Sequence, residues 1–167
     1  MRVAAAVWIV AVLSGCVGGD DGPPPALADP CAAIVLVPAA EATDGQRAAI
    51  VNAAAMWAAV AGTRMVLPGA APGNANDATA TPIPIRFASA PLAFLGAYEV
   101  ERGDLVINSD IPDETTRAIT VAHELGHAFG LVHVTGRDSV MNAGNTTITP
   151  NALDATDLAA RWGVCPR

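Results

Sequence analysis

The sequence predicts one α/β domain built on a mixed β-sheet, behind an N-terminal export leader. Short apolar, β-branched runs recur between residues 33 and 108, which is the pattern of buried strands. A helical stretch follows the first run, and a second long helix begins near Asp113. The 167 residues suffice for one domain, and they contain no internal repeat.

Composition and charge exclude several classes of protein. Hydrophobic residues make up 52% of the chain and charged residues 15%, which is not the composition of a disordered protein. Acidic residues outnumber basic ones 16 to 9, which gives a net charge of −7. Because every basic residue is Arg and none is clustered, the sequence argues against nucleic acid as a partner.

Residues 1–15 predict a signal peptide. The apolar run over residues 3–13 is too short to span a bilayer, which takes about 20 residues. It ends in Leu13-Ser14-Gly15-Cys16, which resembles the lipobox of bacterial lipoproteins and implies that Cys16 carries the lipid. The expected location is the periplasmic or cell-surface face of the envelope. The alternatives are an ordinary secretory signal and an uncleaved anchor.

The mature chain then begins with a linker and ends with a cysteine pair. Residues 16–30 comprise the lipidated Cys and a Gly-, Asp- and Pro-rich spacer. Cys31 and Cys165 bracket the domain over residues 31–167, and outside the cytoplasm such a pair predicts a disulfide. The alternative is a free Cys31 thiol that reaches a metal.

The domain's elements follow in order. A helix is expected over residues 44–61 with Thr43 or Asp44 as its cap and Trp57 in the core. Within the strand predicted over residues 83–87, Pro84 indicates an edge position or a strand start. Residues 68–82 form a surface loop containing Asp77; a calcium site there lacks support, and a solvated loop is favoured. The predicted strands are 33–37, 63–67, 83–87, 92–98 and 105–108.

Residues 120–134 read TVAHELGHAFGLVHV and contain every His of the chain. His123 and His127 are four residues apart, so on a helix they share one face and can bind one Zn²⁺. Gly130 can adopt a positive φ and end the helix, after which the chain doubles back and presents His133 as the third ligand. Three neutral imidazoles leave a fourth position for water, as in a catalytic zinc site.

Glu124 completes the predicted chemistry. It lies about 100° around the helix from His123, so it reaches a water at the metal without being a ligand. Such a Glu takes the water's proton and later delivers it to the leaving amine. Other divalent metals also accept three imidazoles, and zinc is inferred from the ligand type. Glu124 is the last Glu of the chain, so the rivals to His133 are Asp138, Asp154 and Asp157.

HELGHAFGLVH, followed by SVMN at residues 139–142, resembles the metzincin zinc endopeptidases, and within them the matrixin-like branch (the matrix metalloproteinase type). The astacin and serralysin branches place a metal-facing Tyr after the Met, whereas the only Tyr here is Tyr98. The resemblance implies a metzincin-like zincin fold with a mixed, mostly parallel twisted sheet, an active-site helix, a Met-turn and a C-terminal helix. Met141 matches the Met of that turn, an apolar floor and not a ligand.

The resemblance also implies contacts around the site. An Asp of the C-terminal helix would brace the Met-turn; Asp157 is preferred to Asp154, and a solvated helix face is the alternative for either. Peptide substrate would lie along an exposed strand above the active-site helix, the one over residues 105–108. The sequence departs from the family in lacking a His for a structural zinc, a cysteine-switch propeptide and an aromatic wall over residues 143–151.

The predicted function is a zinc-dependent endopeptidase with one catalytic zinc, a protein or peptide substrate, a lipid anchor in the membrane and a monomeric state. One alternative is a non-catalytic binding or adhesion lipoprotein on the same scaffold. Another is a zinc amidase acting on non-protein amides. The retention of Glu124 and of all three His favours an enzyme over the binding module.

Overall fold

The computed structural model describes residues 27–68 and 80–166. The predicted signal peptide, Cys16, most of the linker and Asp77 lie outside the described residues, so the expectations attached to them stay predictions. Within the described ranges, no helix has both the length and the apolar character needed to cross a membrane.

A five-stranded sheet forms the framework, in the order β2-β1-β3-β5-β4. The first four strands in that order pair in parallel, and β4 pairs antiparallel with β5 at the edge. This confirms the predicted α/β class with a mixed, mostly parallel sheet. The strands are β1 Ala33–Pro38, β2 Arg64–Val66, β3 Thr81–Ala88, β4 Gly96–Glu99 and β5 Asp104–Asn108.

The prediction that Pro84 marks an edge position or a strand start is wrong, because β3 begins at Thr81 and lies at the centre of the sheet. The Ile85 carbonyl accepts a hydrogen bond from the backbone N–H of Ala39, just beyond β1. Successive residues of a strand direct their backbone N–H and C=O groups to alternate sides, so the backbone nitrogens of Pro82 and Pro84 face away from β1. Pairing with β5 begins only at Ile85, so neither Pro removes a ladder hydrogen bond.

Three helices accompany the sheet: α1 Asp44–Ala61, α2 Glu114–Ala128 and α3 Ala152–Trp162. Each begins at a side chain that accepts from its own first turn: Thr43, Asp113 and Asn151. Thr43 forms a full capping box with Gln46, which decides between the two caps that the sequence allowed for α1. α1 has the predicted bounds, and α2 begins and ends within about two residues of the positions predicted for it.

The core lies between the sheet and the α1–α2 pair. Trp57 is fully buried, as predicted, and its indole N–H donates to the Ala122 carbonyl at 2.9 Å. Its ring meets that of Phe129 edge-on, with centroids 5.7 Å apart. These contacts join α1 to the middle and the end of α2, the helix that carries the HExxH residues.

A disulfide joins Cys31 to Cys165, 134 residues apart in the sequence. Cys165 lies near the end of α1, where a Cβ at Gly62 would be 4.0 Å from its Cβ. The backbone N–H of Ala28 donates to the Ala128 carbonyl at the end of α2. The two ends of the described domain are therefore joined to each other, and they contact the C-terminal ends of α1 and α2.

Candidate metal centre

The three histidines come from one helix and the turn that follows it. His123 and His127 occupy successive turns of α2. The helix ends at Ala128, and Gly130 then takes a φ of 86°, the left-handed conformation that glycine adopts without strain. The chain reverses there and brings His133 back over the helix, as the motif predicted.

The imidazoles converge through their Nε2 atoms. Nε2 of His133 lies 3.1 Å from Nε2 of His123 and 3.2 Å from Nε2 of His127. Within the described ranges, this cluster contains no other potential ligand, and the rivals Asp138, Asp154 and Asp157 are not part of it.

Backbone carbonyls fix the orientation of two of these rings. Nδ1 of His123 is 2.6 Å from the Val140 carbonyl oxygen, and Nδ1 of His127 is 2.9 Å from that of Leu131. A carbonyl only accepts, so each Nδ1 carries the proton and each Nε2 presents a lone pair. Burial lowers the pKa of His123 and that of His127 below the ordinary value. The hydrogen bond to Val140 or Leu131 opposes this effect but is smaller.

The donor set fits a zinc ion. Tetrahedral Zn²⁺ with Zn–N bonds of about 2.0–2.1 Å separates its nitrogen ligands by roughly 3.3 Å, close to the two short Nε2 separations. Metal-bound imidazoles also need an acceptor for the second ring N–H, and the two backbone carbonyls provide it. His123, His127 and His133 are therefore the residues able to hold the metal.

Glu124 lies beside the cluster, between α2 and β4. Only 5% of the residue is exposed. Burial raises the pKa of Glu124 to about 7. A hydrogen bond from the Tyr98 backbone N–H lowers the pKa, but this effect is the smaller of the two. A Cβ at Gly96 would lie 3.1 Å from Cγ of Glu124, so the glycine allows β4 to approach the carboxylate this closely.

The Met-turn lies directly beneath the helix. Met141 is 1% exposed, and a Cβ at Gly126 would meet its Sδ at 2.4 Å. The backbone N–H of Val134, next to His133, donates to the Met141 carbonyl at 3.1 Å. Met141 thus forms an apolar floor, and its own backbone holds the segment that carries the third His.

Asp154, and not the predicted Asp157, braces the Met-turn. The fully buried Asp154 carboxylate accepts from the Ser139 hydroxyl and, at 3.1 Å, from the Val140 backbone N–H. Asp157 instead pairs with Arg137 at the surface. The two aspartates are three residues apart on α3, so they lie about 60° apart around the axis and nearly one turn apart along it, and only Asp154, in the first turn, reaches the Met-turn.

The strand expected to receive substrate is also corrected. Residues 105–108 lie in β5, which is fully buried between β3 and β4. The edge strand on this side of the sheet is β4, and it lines a cleft of about 700 Å³ together with Glu124 and the three histidines. Other lining residues that the sequence did not single out are Leu27, Phe94, Val132, Asn145 and Arg161.

Asn145 gave no signal in the sequence, because its role depends on a folded loop. Its side-chain amide donates to the carbonyls of Val140 and Ile148, and its oxygen accepts from the backbone N–H groups of Thr147 and Ile148. Arg161 had one available signal, as a basic residue in the last turn of the predicted C-terminal helix.

A model of the metallopeptidase family M12B, described as reprolysin-like, matches residues 74–134. These residues include β3, β4, β5, α2 and all three histidines. No curated protein matches the chain. The family match and the three-His cluster support a metallopeptidase, but they do not confirm the matrixin-like type that the sequence predicted.

Proposed function

We propose that this protein is a zinc-dependent endopeptidase in which His123, His127 and His133 hold the metal and Glu124 is the general base and acid. The observation that carries the proposal is the convergence of three Nε2 atoms beside a buried carboxylate, in a cleft along an open sheet edge. When bound, zinc supplies Lewis-acid polarisation of the scissile carbonyl and of a water.

Glu124 handles the proton in this mechanism. Its carboxylate accepts the proton of the attacking water and then delivers it to the leaving amine. Without metal, burial raises the pKa of this carboxylate to about 7, and a bound cation nearby favours its ionised form, which is the form that accepts the proton. The Tyr98 N–H, which donates to the carboxylate, holds it towards the edge-strand side of the cleft.

Strand β4 would hold the substrate. Its inner side pairs with β5, and its outer edge has no strand partner among the described residues. An extended peptide can add to such an edge through main-chain hydrogen bonds, which suits a bond in the interior of a chain. Phe94, Val100 and Val132 line the cleft with apolar groups that are 37%, 44% and 73% exposed.

The finer assignment keeps the matrixin-like type, an envelope location and a monomeric state. The Ser139-Val140-Met141 context and the bracing by Asp154 support the matrixin-like type, since the resemblance implied an Asp of the C-terminal helix at this place. The lipobox over residues 13–16 supports a lipid anchor, so the substrates would be proteins or peptides near the cell envelope.

The test is cleavage of a diverse peptide library by the purified, oxidised, zinc-loaded full chain, with products identified by mass spectrometry. Glu124→Gln keeps the size of the side chain but removes its basicity, so we expect it to retain one zinc and to lose turnover at least a hundredfold. Glu114→Gln on the exposed first turn of the same helix is the matched control.

Cleavage by the wild type and by Glu114→Gln, but not by Glu124→Gln, is the expected result. Wild-type silence at full zinc occupancy would overturn the proposal and favour a binding module or an amidase. Undiminished cleavage by Glu124→Gln would remove the role assigned to Glu124.

A further inference from the structure

We propose that Arg161 forms an anionic subsite in the cleft, which binds the carboxylate of an Asp or Glu side chain in the substrate. This inference rests on the proposed function and deepens it by naming a class of substrate side chain. It is carried by where the guanidinium lies, by how it is held there and by its lack of an internal partner.

Arg161 is placed in the cleft by contact with the metal-binding turn. It belongs to the last turn of α3, yet its guanidinium packs onto Gly130, which is three residues from both His127 and His133 in the sequence. A Cβ at Gly130 would lie 2.6 Å from Nε and 2.8 Å from Cζ of Arg161. The glycine therefore leaves the space in which the guanidinium lies.

The surrounding contacts hold the side chain in this position. The Trp162 indole N–H donates to the Phe129 carbonyl at 2.8 Å, which fastens the end of α3 to the end of α2. The guanidinium carbon lies 5.9 Å from the centre of the Trp162 ring. Leu27 lines the same position, and the disulfide at Cys165 follows closely along the chain.

The charge of Arg161 is not used inside the described structure. The other described arginines bond to carbonyls or carboxylates: Arg47, Arg64, Arg86, Arg102, Arg117 and Arg137. Within residues 27–68 and 80–166, no carboxylate forms an ion pair with Arg161, whose residue is exposed.

The rest of the cleft makes this cation distinctive. The described lining residues include the three histidines, Glu124 and several apolar side chains, and Arg161 is the one among them with a permanent positive charge. A guanidinium presents paired N–H donors that match a carboxylate, so the group it selects is an acidic side chain of a peptide.

The test compares peptides that differ in one charge. The peptides are fluorescein-labelled and C-terminally amidated, and each carries a single Glu or a single Gln at one of five central positions in an apolar background. Their affinity is measured by fluorescence anisotropy with zinc-loaded Glu124→Gln chain, which keeps the peptides intact. We expect Glu to bind about three- to tenfold more tightly than Gln at one position.

Substitution of Arg161 should abolish or reverse that preference. Arg161→Gln should bind the two peptides equally. Arg161→Glu should bind an added peptide with Lys at that position more tightly than the Glu peptide. Both substitutions are made in the Glu124→Gln background. Arg64→Gln, on the opposite edge strand β2, removes one exposed positive charge and should leave the preference unchanged. Equal thermal unfolding temperatures would show that all variants fold.

The outcomes separate this inference from the proposed function. A wild type that cleaves peptides, combined with no charge preference or one insensitive to Arg161, overturns the subsite and leaves the peptidase standing. A wild type that cleaves nothing, combined with an Arg161-dependent preference in binding, supports the subsite and overturns the peptidase. Absence of peptide binding overturns the subsite.

Discussion

The Val140 carbonyl oxygen lies 2.6 Å from Nδ1 of His123, and the same residue's backbone N–H donates to Asp154. One residue of the Met-turn thus links the buried carboxylate of α3 to a predicted metal ligand on α2. The orientation of the His123 ring depends on a contact 31 residues further along the chain, which gives the first prediction.

Asp154→Ala should destabilise the domain and weaken zinc binding. The substitution leaves the Val140 N–H and the Ser139 hydroxyl without their acceptor in the interior, which costs roughly 2–4 kcal/mol. Urea unfolding measures the stability, and competition with a chelating dye measures the zinc affinity.

Asp157→Ala is the matched control on the same helix. It removes only a surface ion pair with Arg137, so the loss should be at most about 1 kcal/mol with unchanged zinc affinity. If the two variants are equally destabilised, Asp154 is not the brace.

Gly126→Ala should destabilise the domain, although alanine is the better helix former. The new Cβ would meet Met141 Sδ at 2.4 Å in a filled part of the core, and relieving this overlap costs roughly 1–3 kcal/mol. Gly45→Ala in α1 is the control: its Cβ meets only Arg117 at 3.8 Å, so we expect a neutral effect or a gain of up to about 1 kcal/mol. Denaturant midpoints of both variants check the prediction, and a stabilised Gly126→Ala would contradict it.

These contacts also show where sequence reasoning succeeds. Helix bounds were predictable because caps such as Thr43 and Asp113 act locally, within one turn. The convergence of three histidines was predictable for a similar reason, since the spacing of His123 and His127 and the glycine turn at Gly130 are short-range features.

The misplaced features depend on long-range packing. The identity of the edge strand depends on strand order, which the sequence did not determine. The prediction therefore placed the substrate on residues 105–108, which lie in β5, whereas the strand at this edge is β4. The choice between Asp154 and Asp157 depends on which turn of α3 packs against the Met-turn. Arg161 reaches the cleft only because two helix ends, distant in the sequence, pack together at Gly130.

The Cys31–Cys165 disulfide should contribute much of the stability of the domain. It closes a loop of 134 residues, and in the chain-entropy model its loss costs roughly 3–5 kcal/mol. Urea unfolding of the Cys31→Ser/Cys165→Ser double variant, compared with the oxidised wild type, measures this loss. Addition of reductant should lower the midpoint of the wild type and leave that of the double variant in place; a fall in both would point to another cause.

His133→Ala should weaken zinc binding by at least about a hundredfold, because it removes one of three nitrogen ligands. Asp138→Ala tests a rival ligand, an exposed residue between His133 and the Met-turn, and should leave the zinc affinity unchanged. Isothermal titration of metal-free protein with zinc checks both variants. The reverse ranking would mean that His133 is not the third ligand.

The central claim is tested most directly by titrating the metal-free full chain with zinc while following hydrolysis of a peptide that the library experiment selects. We expect no hydrolysis without metal, a rate that rises linearly with added zinc, and saturation at one equivalent per chain. Hydrolysis by the metal-free chain, or a rate that does not respond to zinc up to one equivalent, would contradict a peptidase centred on His123, His127 and His133.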